Sequence, residues 1–329
     1  MSSTILVTGC AGFIGSHLCE RLLHDGYRVI GIDNFDDFYP RATKEANLEI
    51  FAKHPRFSFI EVDLRNGARA LAEHVTEPVD LVAHLAAKAG VGPSVKDPAG
   101  YMETNVLGTT HLLEWMRQQE VHNLFFASSS SVYGNTPELP FEEEASMLKA
   151  AVSPYAASKL AGEELIYTYH HLYQLKALCA RFFTVYGPRQ RPDLAIHKFA
   201  RLLRAGQPIP VFGDGHTARD YTFVDDTVEG IARGIAYLLA QEAPVYELVN
   251  LGNHHPVSLL ELIEAVGKAV GVEPQLSFQV PQAGDVEITY ADITKAQHML
   301  GYAPQTKLAE GLRQFVQWLD GAPVQAHHA

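Results

Sequence analysis

Cysteine is scarce in this 329-residue chain: Cys10, Cys19 and Cys179 stand far apart, with no paired spacing. That argues against a disulfide framework or a cysteine-based zinc site and makes reduced, structural thiols the expectation. The 16 histidines supply no replacement, because His170-His171 and His254-His255 are merely adjacent and no His-x3-His or histidine and carboxylate cluster accompanies them. No metal is expected. Long apolar runs are also missing: stretches such as Val79 to Ala87 and Leu124 to Ala127 fall far short of the roughly 18 to 20 residues a membrane-spanning helix needs. No basic or apolar leader precedes Ile5-Leu6-Val7, so the cytoplasm is the expected compartment and no membrane partner is expected. Basic charge is in deficit, with 26 Lys and Arg against 38 Asp and Glu and a net charge of −12. Such a chain repels polyanions, so no nucleic-acid partner is expected, and only a local basic pocket for a small diphosphate remains open.

What is present is 47% hydrophobic and 19% charged residues, enough core for one large α/β domain or two unequal lobes. Short β-branched or apolar runs at Thr4 to Thr8, Arg28 to Ile32, Phe57 to Val62, Leu81 to Leu85 and Leu124 to Ser128 alternate with helix-like segments, including Phe13 to Asp25 and Tyr101 to Glu120. This alternation predicts βαβ units and a Rossmann-type, doubly wound parallel sheet covered on both faces. Gly, Pro and Asn/Asp punctuation then thickens, at Gly187-Pro188, Gly206 to Pro210, Gly213-Asp214-Gly215 and Gly252 to Pro256. The expected division is a cofactor domain over residues 1–180 and a smaller mixed α/β substrate lobe over 181–329, with some segments returning to the first domain. Helices are expected at about Ile196 to Ala205, Val224 to Leu239, Leu259 to Val270 and Leu308 to Leu319, then a frayed tail from Gly321.

Gly9-Cys10-Ala11-Gly12-Phe13-Ile14-Gly15 lies between a predicted strand and a predicted helix, the setting of a dinucleotide fingerprint. Gly9 permits the tight turn, Gly12 lets a pyrophosphate approach, and Gly15 lets the helix pack on the strand. Phe13 and Ile14 open the helix whose unpaired amides favour the phosphate. Three such glycines also suit a plain strand-helix turn. Asp33, about two dozen residues on and followed by Asn34, suits a ribose 2′-hydroxyl and would repel a 2′-phosphate, which favours NAD over NADP; it could also merely start a turn. Asp63-Leu64 and Leu85-Ala86-Ala87 follow later strands and would present loops to the cofactor at the carboxyl edge of the sheet.

Tyr155 and Lys159 are four residues apart, on one face of a helix predicted to start after Ser153-Pro154. An ammonium beside a phenol lowers the phenol's pKa from about 10, making a base available near neutrality. Ser128-Ser129-Ser130-Ser131 follows a predicted buried strand and offers a hydroxyl to share the substrate proton. A Tyr and Lys pair alone is usually a surface feature; joined to the glycine turn, Asp33 and the serine strand end, it is a catalytic constellation.

From residue 4 to about 319 the chain resembles the extended short-chain dehydrogenases that epimerise, dehydrate or decarboxylate nucleotide sugars. It is most similar to the UDP-glucuronate 4-epimerase group, through Gly31 to Asn34, Ala86-Ala87-Lys88-Ala89-Gly90-Val91, the four serines, Arg181 to Pro188, Arg191 to Ala195 and Arg219 to Asp226. The resemblance implies Tyr155 as base, Lys159 as its activator and ribose partner, and Ser129 at the sugar O4. It implies hydride transfer from C4 to NAD, a 4-keto sugar that turns over, and hydride return to the opposite face. Lys88 and Asn105 would border the cofactor, although Asn105 could equally be a capping or packing residue.

Family dehydratases carry Asp-Glu where this chain has Ser130 and Ser131, and decarboxylases carry Glu at the position of Ser131, so simple epimerisation is implied. Ser128, Ser130 and Thr184 would serve as donors to a C6 carboxylate. Thr184 replaces an Asn usual in UDP-glucose epimerases and so supports a uronate. Gly92 stands where the glucuronate epimerases have Arg, and Arg189-Gln190 replaces their Trp-Gly, which keeps UDP-glucose and UDP-N-acetylglucosamine open as substrates. Arg219 would hold the diphosphate, unless it only pairs with Asp220 or Asp225. Lys198, Val211 and Phe212 would flank uridine; otherwise they are helix surface and strand core. A homodimer through the helices near Tyr101 and Pro154 is implied. A 4-keto sugar reductase is disfavoured by Asp33 and the epimerase-like second lobe, and a non-catalytic NAD-binding scaffold by the intact Ser129, Tyr155 and Lys159.

Overall fold

The computed structural model describes residues 2–144, 151–280 and 287–321. Strands β1 (Thr4–Thr8), β2 (Arg28–Asp33), β3 (Phe57–Glu61), β4 (Leu81–His84), β5 (Asn123–Ser129) and β6 (Lys176–Phe182) are apolar runs. They are followed by β7 (Thr184–Tyr186), β8 (Ile209–Phe212), β9 (Ala218–Phe223), β10 (Tyr246–Leu251), β11 (Pro256–Ser258), β12 (Leu276–Gln279) and β13 (Ile288–Thr289). Seven of them form one parallel sheet in the order β10-β6-β5-β4-β1-β2-β3. Because side chains alternate across a strand, Ile5 and Val7 enter one hydrophobic core while Leu6 enters another. The strands are therefore covered on both faces, which explains their continuous rather than alternating hydrophobicity.

The covering helices are α1 (Phe13–His24), α2 (Arg41–Glu49), α3 (Ala68–His74), α4 (Val91–Lys96), α5 (Pro98–Met102), α6 (Gly108–Gln118) and α7 (Pro154–Tyr173), then α8 (Ala195–Arg204), α9 (Val224–Ala240), α10 (Leu259–Val270), α11 (Thr294–Leu300) and α12 (Leu308–Leu319). The single helix expected over Tyr101 to Glu120 is instead α5 and α6 joined by a π-helical turn, Glu103–Leu107. Such turns often mark functional sites, and this one carries Asn105. The alternation pattern missed α2 and α3, which are only nine and seven residues long, too short for a clear helical period. Of the expected tail only Gly321 is described.

The chain runs outward from β1 through β2 to β3, then places β4 on the opposite side of β1. That reversal opens a crevice beyond the carboxyl ends of β1 and β4. Outside that sheet the pairing is mixed: β7 and β13 pair parallel to β9, β11 pairs antiparallel to it, and β8 and β12 form a separate parallel ribbon. Strand β10 and helix α9, although late in sequence, pack with the large sheet, β10 beside β6 and α9 against α1. Among the described residues no helix is long and apolar enough to cross a membrane.

Candidate active site

The glycine turn is shaped by contacts that exclude side chains. Gly9 has a φ of +73°, and a Cβ there would lie 2.9 Å from the Ala86 nitrogen. A Cβ on Gly15 would lie 2.1 Å from the Gly9 carbonyl oxygen, so α1 approaches β1 more closely than any other residue allows. Gly12 precedes α1 as its N-terminal cap, and the first turn of that helix holds no acidic residue. Its unpaired amides thus face the crevice uncontested.

Around this turn runs a cavity of about 410 Å³ lined by Gly9, Gly12, Phe13, Ile14 and Gly15 at one end and by Ser128 to Ser131, Tyr155, Lys159 and Thr184 at the other. Between them lie Asp33, Asn34, Asp63, Leu64 and Leu85 to Lys88. Asp33 is buried at the end of β2 and accepts hydrogen bonds from the amides of Ala11 (3.1 Å) and Phe35 (2.8 Å). Burial pushes its carboxyl upward, and Lys44, 4.0 Å away, opposes that. Asn34 donates to Asp63 at 2.9 Å. Burial works against ionisation of Asp63, but hydrogen bonds from Arg65 and Asn34 outweigh it and hold the carboxyl at about 2. A glycine cradle at a helix N-terminus with a buried acid one strand away fits a dinucleotide.

Ser153 caps α7, accepting from the Ala156 amide, and Pro154 occupies the first turn. This fixes Tyr155 in the first turn and Lys159 one turn later. Tyr155 and Ser129 line the same end of the cavity, where the Ser129 hydroxyl donates to Ser131 at 3.1 Å. Burial raises the Tyr155 phenol, while the nearby Ser129 hydroxyl and the Arg191 guanidinium oppose the rise. Lys159 lies 6.0 Å from the Tyr155 ring centre and donates to the Ala127 carbonyl at 2.8 Å. Burial pulls its ammonium down to about 8, against the pull of Glu163.

The roles expected of Ser128 and Asn105 change in the structure. The Ser128 hydroxyl has one proton and donates it to Glu163 at 2.5 Å, so toward a ligand it presents lone pairs and not the donor expected of it. Asn105 does not line the cavity. It holds the cavity wall from behind, accepting from the Lys88 amide (2.8 Å) and donating to the Lys88 carbonyl and the Ser158 hydroxyl (both 2.9 Å). Buried His84 extends this network, contacting Thr8 at 2.7 Å and Thr109 at 2.9 Å. Since Thr109 donates to the Asn105 carbonyl, it can only accept from His84, which assigns the proton to Nε2.

Lys198, Val211, Phe212 and Arg219 do not line this cavity. Lys198 is exposed on α8, Val211 is fully buried in β8, Phe212 is half-buried, and Arg219 donates to the carbonyls of Ala218 and Glu287. Conversely, the fold brings in residues to which no role was assigned. Arg191 donates to the Ala89 carbonyl (3.2 Å) and to Asp193 (2.8 Å), lies 4.9 Å from the Phe38 ring centre and faces Tyr155. Only its place in the Arg-Pro-Asp motif hinted at importance. Lys44, Phe38 and Tyr39 also line the cavity; nothing in their local spacing announced it.

A family model described as GDP-mannose 4,6 dehydratase matches residues 6–315. A UDP-glucuronate 4-epimerase of Thermodesulfobacterium geofontis is 40% identical over 316 residues, 95% of each chain. The chain belongs to the extended short-chain dehydrogenase/reductase family. Among solved members, a UDP-glucuronic acid 4-epimerase from Bacillus cereus, in complex with UDP-glucuronic acid and NAD, matches with a TM-score of 0.88 and 36% identity, over 97% of this chain and 99% of the other. A UDP-glucose 4-epimerase of Thermotoga maritima with UDP-glucose matches with a TM-score of 0.85 and 30% identity, over 97% and 99%.

Proposed function

We propose that this chain is an NAD-dependent UDP-sugar 4-epimerase interconverting UDP-glucuronate and UDP-galacturonate. The observation that carries the reading is the cavity end where Ser129, Tyr155, Lys159 and the Arg191 guanidinium line one wall, with no carboxylate among residues 128 to 131. The relatives' similarity supports the same reading.

NAD would be held by Gly9, Gly12 to Gly15, Asp33, Asn34, Asp63, Leu64 and Leu85 to Lys88, and when bound supplies the hydride acceptor and donor for sugar C4. Tyr155 takes the proton from the sugar O4 and later returns it, with Ser129 sharing that proton. The Lys159 charge favours the tyrosinate. Arg191 and the hydroxyls of Ser130 and Thr184 face the C6 carboxylate, and Arg191 compensates for the family Arg absent at Gly92. Arg219, Lys198 and Phe212 take the diphosphate and uridine on the smaller lobe, with Val211 contributing only backbone. The division near residue 181, a homodimer built on α5 to α7 and a cytoplasmic location complete the proposal. Gly92, exposed and outside the cavity lining, brings no side chain to a carboxylate, which favours, as a second reading, the neutral substrates UDP-glucose or UDP-N-acetylglucosamine.

The test incubates purified protein separately with UDP-glucuronate, UDP-glucose and UDP-N-acetylglucosamine, resolves products by chromatography and monitors absorbance for free NADH. UDP-galacturonate without NADH release is expected. Conversion of neutral sugars alone would refute the uronate assignment, and conversion of none would refute the activity.

A further inference from the structure

Behind the serine strand lies a buried ion pair that the reaction, as described, does not use. Glu163 on α7 receives Arg181 of β6 in a two-pronged bridge, Nε to Oε1 at 3.0 Å and Nη2 to Oε2 at 2.8 Å. The side chains are 5% and 0% exposed. Arg181 also donates through Nη1 to the Tyr133 hydroxyl and the Glu143 carbonyl, both at 3.1 Å, and Glu163 accepts the Ser128 proton. A buried pair is poor evidence for stability, because desolvation offsets the Coulomb attraction. Its location therefore calls for another account.

We propose that Glu163 is a positioning residue of the reaction centre: anchored by Arg181, it is the buried counter-charge that keeps Lys159 an ammonium one helical turn away. The proposal rests on the reading of Tyr155 and Lys159 as the proton-transfer pair. Residues 159 and 163 share a face of α7 at i, i+4, and both are at most 4% exposed. The titratable groups facing Lys159 are Tyr155 and Glu163 on its own helix, His84 on β4 and Cys179 on β6, with Arg181 beside Glu163. Glu163 is the one carboxylate in this set. Burial draws the Lys159 ammonium down to about 8, and Glu163 is the foremost group resisting it. Without that carboxylate the lysine would be largely neutral at physiological pH and would lose its bias on Tyr155.

The test is an NMR titration of protein labelled with ¹³C at lysine Cε, with the Lys159 signal identified by its loss in Lys159→Met. In Glu163→Gln the Lys159 midpoint is expected to fall by about one pH unit or more, and the alkaline limb of kcat/KM should move the same way. Glu163→Asp, which keeps the charge, should restore much of the midpoint. Should Glu163→Gln fail to fold, the double variant Glu163→Gln/Arg181→Met leaves no unpaired guanidinium and should show a smaller fall in the same direction, because the more distant Arg181 charge leaves with the carboxylate. An unchanged midpoint in whichever variant folds overturns the proposal. The titration needs no turnover, so a wild-type protein inactive on every UDP-sugar would refute the epimerase reading while leaving the shift itself decided.

Discussion

Replacing Gly15 by Ala tests whether the cofactor cradle depends on close backbone approach. The added Cβ would sit 2.1 Å from the Gly9 oxygen and 2.9 Å from its carbonyl carbon, so α1 must retreat by about 1 Å to reach an ordinary contact. Retreat is opposed on its far side, where α1 packs on α9 and Arg21 pairs with Glu229. Overpacking of this kind costs about 1–3 kcal/mol, which at roughly 2–4 °C per kcal/mol lowers the melting temperature by at least about 2 °C. The same displacement moves the helix N-terminus away from a bound pyrophosphate, and NAD affinity should fall about 10-fold or more. Gly92→Ala is the control: nothing lies within 4 Å of its Cβ, and it lies in α4, where Ala stabilises by about 0.5–1 kcal/mol. Differential scanning fluorimetry and calorimetric NAD titration read both variants. A Gly15→Ala protein that melts and binds NAD like wild type would refute the close-approach argument.

Tyr155→Phe should lower kcat by about 10²–10⁴-fold with an unchanged melting temperature; retained turnover would remove Tyr155 as the base. Arg191→Leu should raise KM for UDP-glucuronate about 10-fold or more, through loss of a charged hydrogen bond, and leave KM for UDP-glucose nearly unchanged. Equal effects on both would separate Arg191 from the carboxylate. Burial, with Lys159, holds His84 down to about 3, below an unfolded value near 6.5. Because the folded value is depressed, the stability linked to His84 is complete above about pH 6.5 and is lost as pH falls toward 3, by up to about 1.4 kcal/mol per pH unit. Melting temperatures from pH 7.5 down to 5 should therefore fall less steeply for His84→Gln than for wild type, and parallel slopes would contradict a buried neutral imidazole.

The fold was legible where the chain repeats a physical pattern over enough residues. Runs such as Ile5 to Val7 and Leu124 to Ala127 are buried on both faces, so hydrophobicity alone marks them as parallel strands. Strands β11 and β13, outside the large sheet, are three and two residues long and have no such signature, because their pairing to β9 comes from the tertiary arrangement. The π-helical turn at Asn105 was hidden for a related reason: its side chain is engaged by Lys88 and Ser158, 17 and 53 residues distant.

By itself the sequence determined the glycine cradle, Asp33, and the placement of Tyr155 and Lys159 on one helix face. Each is a relation within a few residues or between neighbouring βα units, and local geometry transmits it directly. Only the tertiary structure decided that Arg191 faces Tyr155, that Lys44 approaches Asp33, and that Ser128 gives its proton to Glu163. Ser128, Glu163 and Arg181 come from β5, α7 and β6, and Arg191 from the segment after β7. Their meeting depends on which strands lie side by side and how deeply each group is buried. Burial sets the strength of a charge and the direction of a proton, and it is a property of the packed whole.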